Sequence, residues 1–323
     1  MTEQTLTRSS RLEQTAGRLT ALSLVARSDS NALFDWPSRA ATDRLAMSEA
    51  LLPLAGLPVY RELSDEQRWR LAMLEAANFF SLNIAGEREL MSGLAQRLCG
   101  DRPASISNYL QHFIDEENAH TAVFARFCLD YGGGIFPDRQ VRFPREFAPG
   151  EEEFLFFGRV LIFEEVAHFH NKAIANDPGV WPLAREINRY HAEDESRHIA
   201  FGRLQLGELW ECFAPQWGED GRRRIGRYLS HYTAVTLRSY VNPDVYRAIG
   251  LPAGVRQAIL ESRHWNSIAV RSTDRITRWL RKYFDFTSSS VCTFTLRRAF
   301  VATSFSSSGF TRASAWPGSA RTR

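Results

Sequence analysis

The chain is short of several things that would otherwise direct its interpretation. Lysine is nearly missing: of 40 basic residues, 38 are arginine and two are lysine, and 37 acids are interleaved with them, for a net charge of +3. No basic run of the kind that tracks a nucleic-acid backbone stands out, so a small-molecule partner is expected and no nucleic acid. Cysteine is limited to Cys99, Cys128, Cys212 and Cys292, with no Cys-x-x-Cys pair. That spacing excludes a thiolate zinc site and a disulfide framework, leaving buried free thiols. The first thirty residues carry Glu3, Arg8, Arg11 and Glu13 with no unbroken apolar stretch. Neither a secretory signal nor a membrane span is readable there, so no membrane partner is expected and the cytoplasm is the default compartment.

Nucleotide and hydrolase signatures are also missing. There is no Gly-x-Gly-x-x-Gly opening a helix, no Gly-Lys-Ser/Thr phosphate loop and no Gly-x-Ser-x-Gly elbow. The run Gly132, Gly133, Gly134 follows a helical pattern and reads as its stop. No alternating strand pattern precedes residue 285.

What is present is helical. After an extension over residues 1–60, with one helical stretch at 12–25, a Trp36-Pro37 segment and a connector around Pro53 and Pro58, Ser64 and Gln67 form a capping box for a helix running to about residue 98. A second helix begins near Ser105 or Ser107. It carries Leu110, Phe113, Glu117, His120 and Phe124 on one face and stops at Tyr131. A third covers about 151–176, its first turn holding Glu151, Glu152 and Glu153 where the helix dipole favours acids. The turn Asp177-Pro178-Gly179 leads to a fourth over about 182–213, and stretches at 219–241 and 243–283 complete the pattern. The segment 287–323 has nine serines, five arginines and no acid or lysine, a composition that favours a disordered tail or marks an altered reading frame.

Within these helices one arrangement repeats. Glu117 and His120 stand at i and i+3, as do Glu195 and His198, so each pair shares a helical face. Glu87 precedes Glu117 by 30 residues and Glu164 precedes Glu195 by 31, the distance needed to leave one helix and return at the same level of an antiparallel neighbour. A carboxylate on each of two helices and a Glu-x-x-His on each of two others is the ligand grammar of a two-iron carboxylate site inside a four-helix bundle. Carboxylates neutralise and bridge the metals, imidazoles hold them from one side, and open positions remain for dioxygen.

Neighbouring residues leave choices. Glu87 shares its face with Phe80, Ile84, Leu90, Met91 and Leu94, whereas Glu89 shares Ser92 and Gln96, which favours Glu87. Spacing does not separate Glu164 from Glu165. His191 lies four residues before Glu195 and seven before His198; on spacing alone it is either a third imidazole ligand or an ordinary buried histidine. Asp194 is placed to accept the second ring proton of a ligand histidine from another helix, Glu116 holds the equivalent position in the first motif, and Arg197 could pair with such acids. His112, His168 and His170 could line the site or be structural. Around Glu87 stand Phe79 and Phe80, not the tyrosine expected beside a radical-forming centre.

At Glu87, Glu117-x-x-His120, Glu164 and Glu195-x-x-His198 the chain resembles the ferritin-like diiron carboxylate superfamily. Through His191, and its interval of 27 from Glu164, it resembles the p-aminobenzoate N-oxygenase group. The resemblance covers about residues 65–205. It implies an all-α, ferritin-like four-helix bundle with additional N- and C-terminal helices, a diiron domain at 61–285 between the 1–60 extension and the 286–323 tail. It also implies seven protein ligands: Glu87, Glu117, His120, Glu164, His191, Glu195 and His198, with Glu164 preferred over Glu165. The implied enzyme holds two iron ions that cycle between Fe2+ and Fe3+, takes O2 as co-substrate and draws on an external electron donor or reductase. It oxygenates a primary amine, arylamine or amino-acid-derived, to a hydroxylamine, nitroso or nitro product, and works as a homodimer. Alternatives are a carbon hydroxylase or desaturase with the same metals, an iron-storage protein, or a metal-free helical binding protein.

Overall fold

A computed structural model describes residues 3–26, 32–98, 103–137 and 146–284 of the 323-residue chain. The 287–323 tail, residues 99–102 after the first bundle helix and residues 138–145 before the third lie outside the described residues. Among those described there is no strand, only one isolated bridge between Leu45 and Val180.

Helix α1 spans Glu3–Ala26, α2 Pro58–Glu62, α3 Asp65–Arg97, α4 Ala104–Asp130, α5 Glu151–Ala175, α6 Pro182–Ser239, α7 Pro243–Ala248, α8 Val255–Glu261 and α9 Arg263–Leu280. The capping box is formed as the sequence indicates: Gln67 N–H donates to Ser64 Oγ at 3.2 Å, and Ser64 N–H to Gln67 Oε1 at 3.0 Å. At the other end of α3, buried Arg97 donates to Glu153 at 2.7 Å and lies 3.8 Å from the Phe156 ring centroid, tying α3 to the start of α5.

Helices α3, α4, α5 and the first half of α6 form the four-helix bundle. α5 is buried on almost every side, which its apolar residues from Phe154 to Ile162, interrupted only by Arg159, require. It meets α3 through two glycines seven residues apart. A Cβ at Gly86 would lie 2.4 Å from the Phe163 ring, and one at Gly93 would lie 2.0 Å from the Phe156 ring. Each aromatic ring rests on bare backbone, so nothing larger than glycine fits.

The two stretches expected at 182–213 and 219–241 are present as the two arms of α6, separated at Gly218, whose φ of 61° and ψ of −176° are non-helical and suit glycine. One expectation is corrected. The stretch 243–283 is three helices, because Gly250 (φ 84°) and Pro252 interrupt it and Ser262 caps α9 by accepting from Trp265 N–H.

The 1–60 segment packs onto the bundle. Leu12, Ala16 and Leu19 of α1 are buried against α4 and α6. Further on, Trp69 Nε1 donates to Ala41 O, Tyr131 OH donates to Pro37 O, and Phe34 packs edge-on against Tyr190. Of two turns of 3-10 helix, Glu49–Leu51 and Pro53–Gly56, the second meets α9, and His264 donates to Leu52 O between them. No described helix is long and apolar enough to cross a membrane.

Candidate metal centre

The structure brings all seven expected residues to one place at the middle of the bundle, each at most 2% exposed. They fall into two groups whose ligand-type atoms lie within 4.8 Å of one another: Glu87, His120 and His191 in one, and Glu117, Glu164, Glu195 and His198 in the other. Every bundle helix contributes, α3 through Glu87, α4 through Glu117 and His120, α5 through Glu164, and α6 through the rest.

Two carboxylates span the groups. Glu117 turns Oε2 to His120 Nδ1 at 3.4 Å and Oε1 to His198 Nδ1 at 2.9 Å. Glu195 turns Oε1 to His191 Nε2 at 2.5 Å and Oε2 to His198 Nδ1 at 3.6 Å. Glu87 Oε1 lies 3.4 Å from His191 Nε2, and Glu164 falls in the group of Glu117, Glu195 and His198.

The donor set can be tested for metal by asking what its atoms do without one. Both oxygens of Glu87, both of Glu164, Glu117 Oε1, Glu195 Oε2, His191 Nε2 and His198 Nδ1 are buried and make no hydrogen bond. Leaving so many polar atoms unsatisfied in one core is costly. They converge on common points, and oxygen with imidazole nitrogen is the donor chemistry that iron and manganese take. The residues fit two metal ions.

Protonation points the same way. Burial raises Glu87 well above the usual carboxylate range and Glu117 adds to it; burial likewise raises Glu195. Burial would also raise Glu117, but the nearby His198, then His120, bring it below the ordinary value. A cation would relieve the crowding of these acids. His191 is pushed well below the ordinary histidine value by burial and by His120 and His198, so it is a neutral imidazole with a lone pair to give.

Around this centre the two motifs support each other crosswise. His120 Nε2 on α4 donates to Asp194 Oδ2 on α6 at 2.9 Å, and His198 Nε2 on α6 donates to Glu116 Oε2 on α4 at 2.8 Å. Both outer ring nitrogens therefore carry protons, and both Nδ1 atoms face inward. Arg197 bonds Glu116 at 2.6 Å and also Asp194. Burial would raise Glu116, but the bond and charge of His198, then Arg197, hold it down at about 2.

The choices left open by spacing are resolved in position. Glu89 is 65% exposed at the side chain and pairs with Arg159 at 2.6 Å, away from the centre. Glu165 points to Arg203 and Arg275. His168 and His170 are buried and lowered to about 4, chiefly by burial; His170 bonds Val166 O and stacks on Tyr240. The absence of tyrosine next to Glu87 holds, but two tyrosines approach from other helices. Tyr190 packs edge-on to His120 with centroids 5.3 Å apart, and Tyr109 is fully buried beyond Phe113, whose ring stacks on His198 at 3.7 Å. One contact gave no signal in the sequence: Asn171 on α5, fully buried, lies 2.6 Å from His191 Nδ1.

A family model described as p-aminobenzoate N-oxygenase AurF matches residues 9–283. The chain belongs to that family. As a member it is a ferritin-like, metal-binding oxidoreductase of the diiron carboxylate class, and the match extends beyond the bundle to α1 and α9. Among solved structures it is similar to variants of an R2-like ligand-binding oxidase with a reconstituted Mn/Fe cofactor. One, anaerobically reconstituted, is 14% identical, with 87% of this chain and 89% of that one covered and a TM-score of 0.35. Another, aerobically reconstituted, is also 14% identical, with coverage of 85% and 92% and a TM-score of 0.33. No curated protein matches the chain.

Proposed function

We propose that this protein binds two iron ions through Glu87, Glu117, His120, Glu164, His191, Glu195 and His198. With dioxygen and electrons from an external reductant, it N-oxygenates a primary amine. The observation that carries this reading is the third imidazole: in a chain of the p-aminobenzoate N-oxygenase family, buried, neutral His191 presents Nε2 to the same centre as both Glu-x-x-His pairs.

When bound, two ferrous ions would supply electrons and open coordination positions for dioxygen. The chain's own residues do the rest. Glu117 and Glu195, each facing histidines of both groups, would hold the two ions together with Glu87 and Glu164. Asp194 and Glu116 keep the Nε2 protons of His120 and His198, which fixes their tautomers and strengthens Nδ1 as a donor. Phe113, Phe124 and Tyr190, ring against ring with the three histidines, exclude water from the α4 and α6 side.

The test is metal analysis of the anaerobically purified protein, then incubation of the reduced, iron-loaded form with a panel of primary amines under isotopically labelled dioxygen. About two irons per chain and label in a hydroxylamine, nitroso or nitro product support the reading. Label found only on carbon would replace it with a hydroxylase. A chain that takes up no metal would sink it.

A further inference from the structure

The three histidines at the centre are not held alike. His120 and His198 turn Nδ1 inward and give Nε2–H to carboxylates, Asp194 and Glu116, which share Arg197. His191 is reversed: Nε2 is turned inward, 2.5 Å from Glu195 Oε1 and 3.4 Å from Glu87 Oε1, and Nδ1 meets the neutral amide of Asn171.

That contact has a definite chemical sense. With the amide nitrogen against Nδ1, the imidazole would have to accept there and carry its proton on Nε2, and Asn171 Oδ1 would remain buried with no donor. Asn171 Oδ1 indeed has no hydrogen bond in that orientation. A separation of 2.6 Å falls just below the range of about 2.7–3.2 Å for N–H···O and is tighter still for nitrogen against nitrogen. Turning the amide over puts Oδ1 against Nδ1–H and leaves the Nε2 lone pair directed into the centre. The oxygen and nitrogen of a side-chain amide are assigned by their partners, and here the partner is an imidazole whose other nitrogen points among carboxylates.

We infer that Asn171 is a positioning residue for the group formed by Glu87, His120 and His191: its side-chain oxygen accepts Nδ1–H of His191, fixing the tautomer that offers Nε2 to a metal. Because an amide oxygen accepts without bearing charge, His191 remains a neutral donor, weaker than the two histidines backed by carboxylates. The two metal positions are thereby made unequal by a residue that touches neither. This inference rests on the two-metal reading above.

The experiment uses the full chain and ferrous or cobaltous ion alone, with no substrate. Wild type, Asn171→Leu, Asn171→Asp and His191→Ala are titrated against a competing chelator, and the cobalt-loaded forms are compared by optical spectroscopy, with circular dichroism to monitor folding. Wild type is expected to take two ions. Asn171→Leu should weaken one of them by about 10- to 100-fold and approach His191→Ala. Asn171→Asp should recover tight binding at both positions, with a shifted cobalt spectrum because the acceptor is now charged. Full affinity at both positions in Asn171→Leu overturns the inference, as does equal loss of both ions in a folded variant. If Asn171→Leu does not fold, Asn171→Asp decides: a spectrum unchanged from wild type overturns it. A wild type that binds no ion would instead remove the two-metal reading itself.

Discussion

Arg197 on α6 donates to Glu116 on α4 at 2.6 Å, and Glu116 in turn accepts from His198 at 2.8 Å, one residue beyond Arg197 on α6. The same guanidinium reaches Asp194, which accepts from His120. One cation thus joins the outer partners of two histidines that belong to different motifs.

Breaking this link should be felt at the centre and not in the fold. Glu116→Gln and Asp194→Asn are each expected to lower affinity for one metal by about 10- to 100-fold, while Arg197→Leu lowers both. Chelator competition on the folded variants measures it. Circular dichroism should stay at the wild-type level in all three.

Paired substitutions of neighbouring acids separate ligands from bystanders. Glu87→Gln and Glu164→Gln should each reduce metal content, whereas Glu89→Gln, at an exposed ion pair, should leave metal content and melting temperature near wild type. Glu165→Gln should keep its metal but lose about 1–3 kcal/mol of stability. That is less than for a fully buried pair, because Arg275 is 52% exposed. Metal analysis beside thermal melting distinguishes the four.

Glu75, 3% exposed beside Tyr246, gives a pH dependence unrelated to the metals. Burial raises its pKa from 4.5 to about 8, against the lowering effect of a hydrogen bond from Tyr246. Its folded value lies above its unfolded one, so the neutral acid suits the fold. The contribution is complete below about pH 4.5 and declines as pH rises to about 8, at up to about 1.4 kcal/mol per unit. Glu75→Gln should flatten that slope and stabilise the protein at pH 8, as read by chemical denaturation across pH. An unchanged slope would show that Glu75 is not its source.

At Gly93 the usual preference for alanine in a helix should reverse. Gly to Ala in a helix interior ordinarily gains about 1 kcal/mol. Here the new Cβ would meet the Phe156 ring at 2.0 Å, and forcing the two apart should cost about 1–3 kcal/mol. Gly93→Ala should therefore melt lower than wild type, and the double variant Gly93→Ala with Phe156→Leu should recover part of the loss.

Much of this was legible in the chain because ligand helices obey a strict period. Glu117 with His120, and Glu195 with His198, can share a face only if the segment is helical, and the apolar residues around them agree. Ser64 and Gln67 marked a helix start through local chemistry alone. The breaks in 243–283 were missed because Val255, Ile259 and Leu260 keep an apolar helical pattern across short turns. Glu164 and Glu165 could not be separated by pattern, since α5 is buried on nearly all sides and its partners Arg203 and Arg275 come from α6 and α9. Asn171 was silent because a buried amide on an apolar helix acquires meaning only from His191, twenty residues away.

The segment before residue 61 bears no ligand, yet it lies two rings from one. Phe34 rests edge-on against Tyr190, and Tyr190 edge-on against His120. Those rings are electrical insulation: they keep a strongly polarising solvent away from a cluster of acids and imidazoles whose proton affinities depend on its distance. Cutting the chain back to its four ligand-bearing helices would therefore yield not a smaller version of the centre but a wetter one, with its acids and imidazoles drifting back toward the values they have in water.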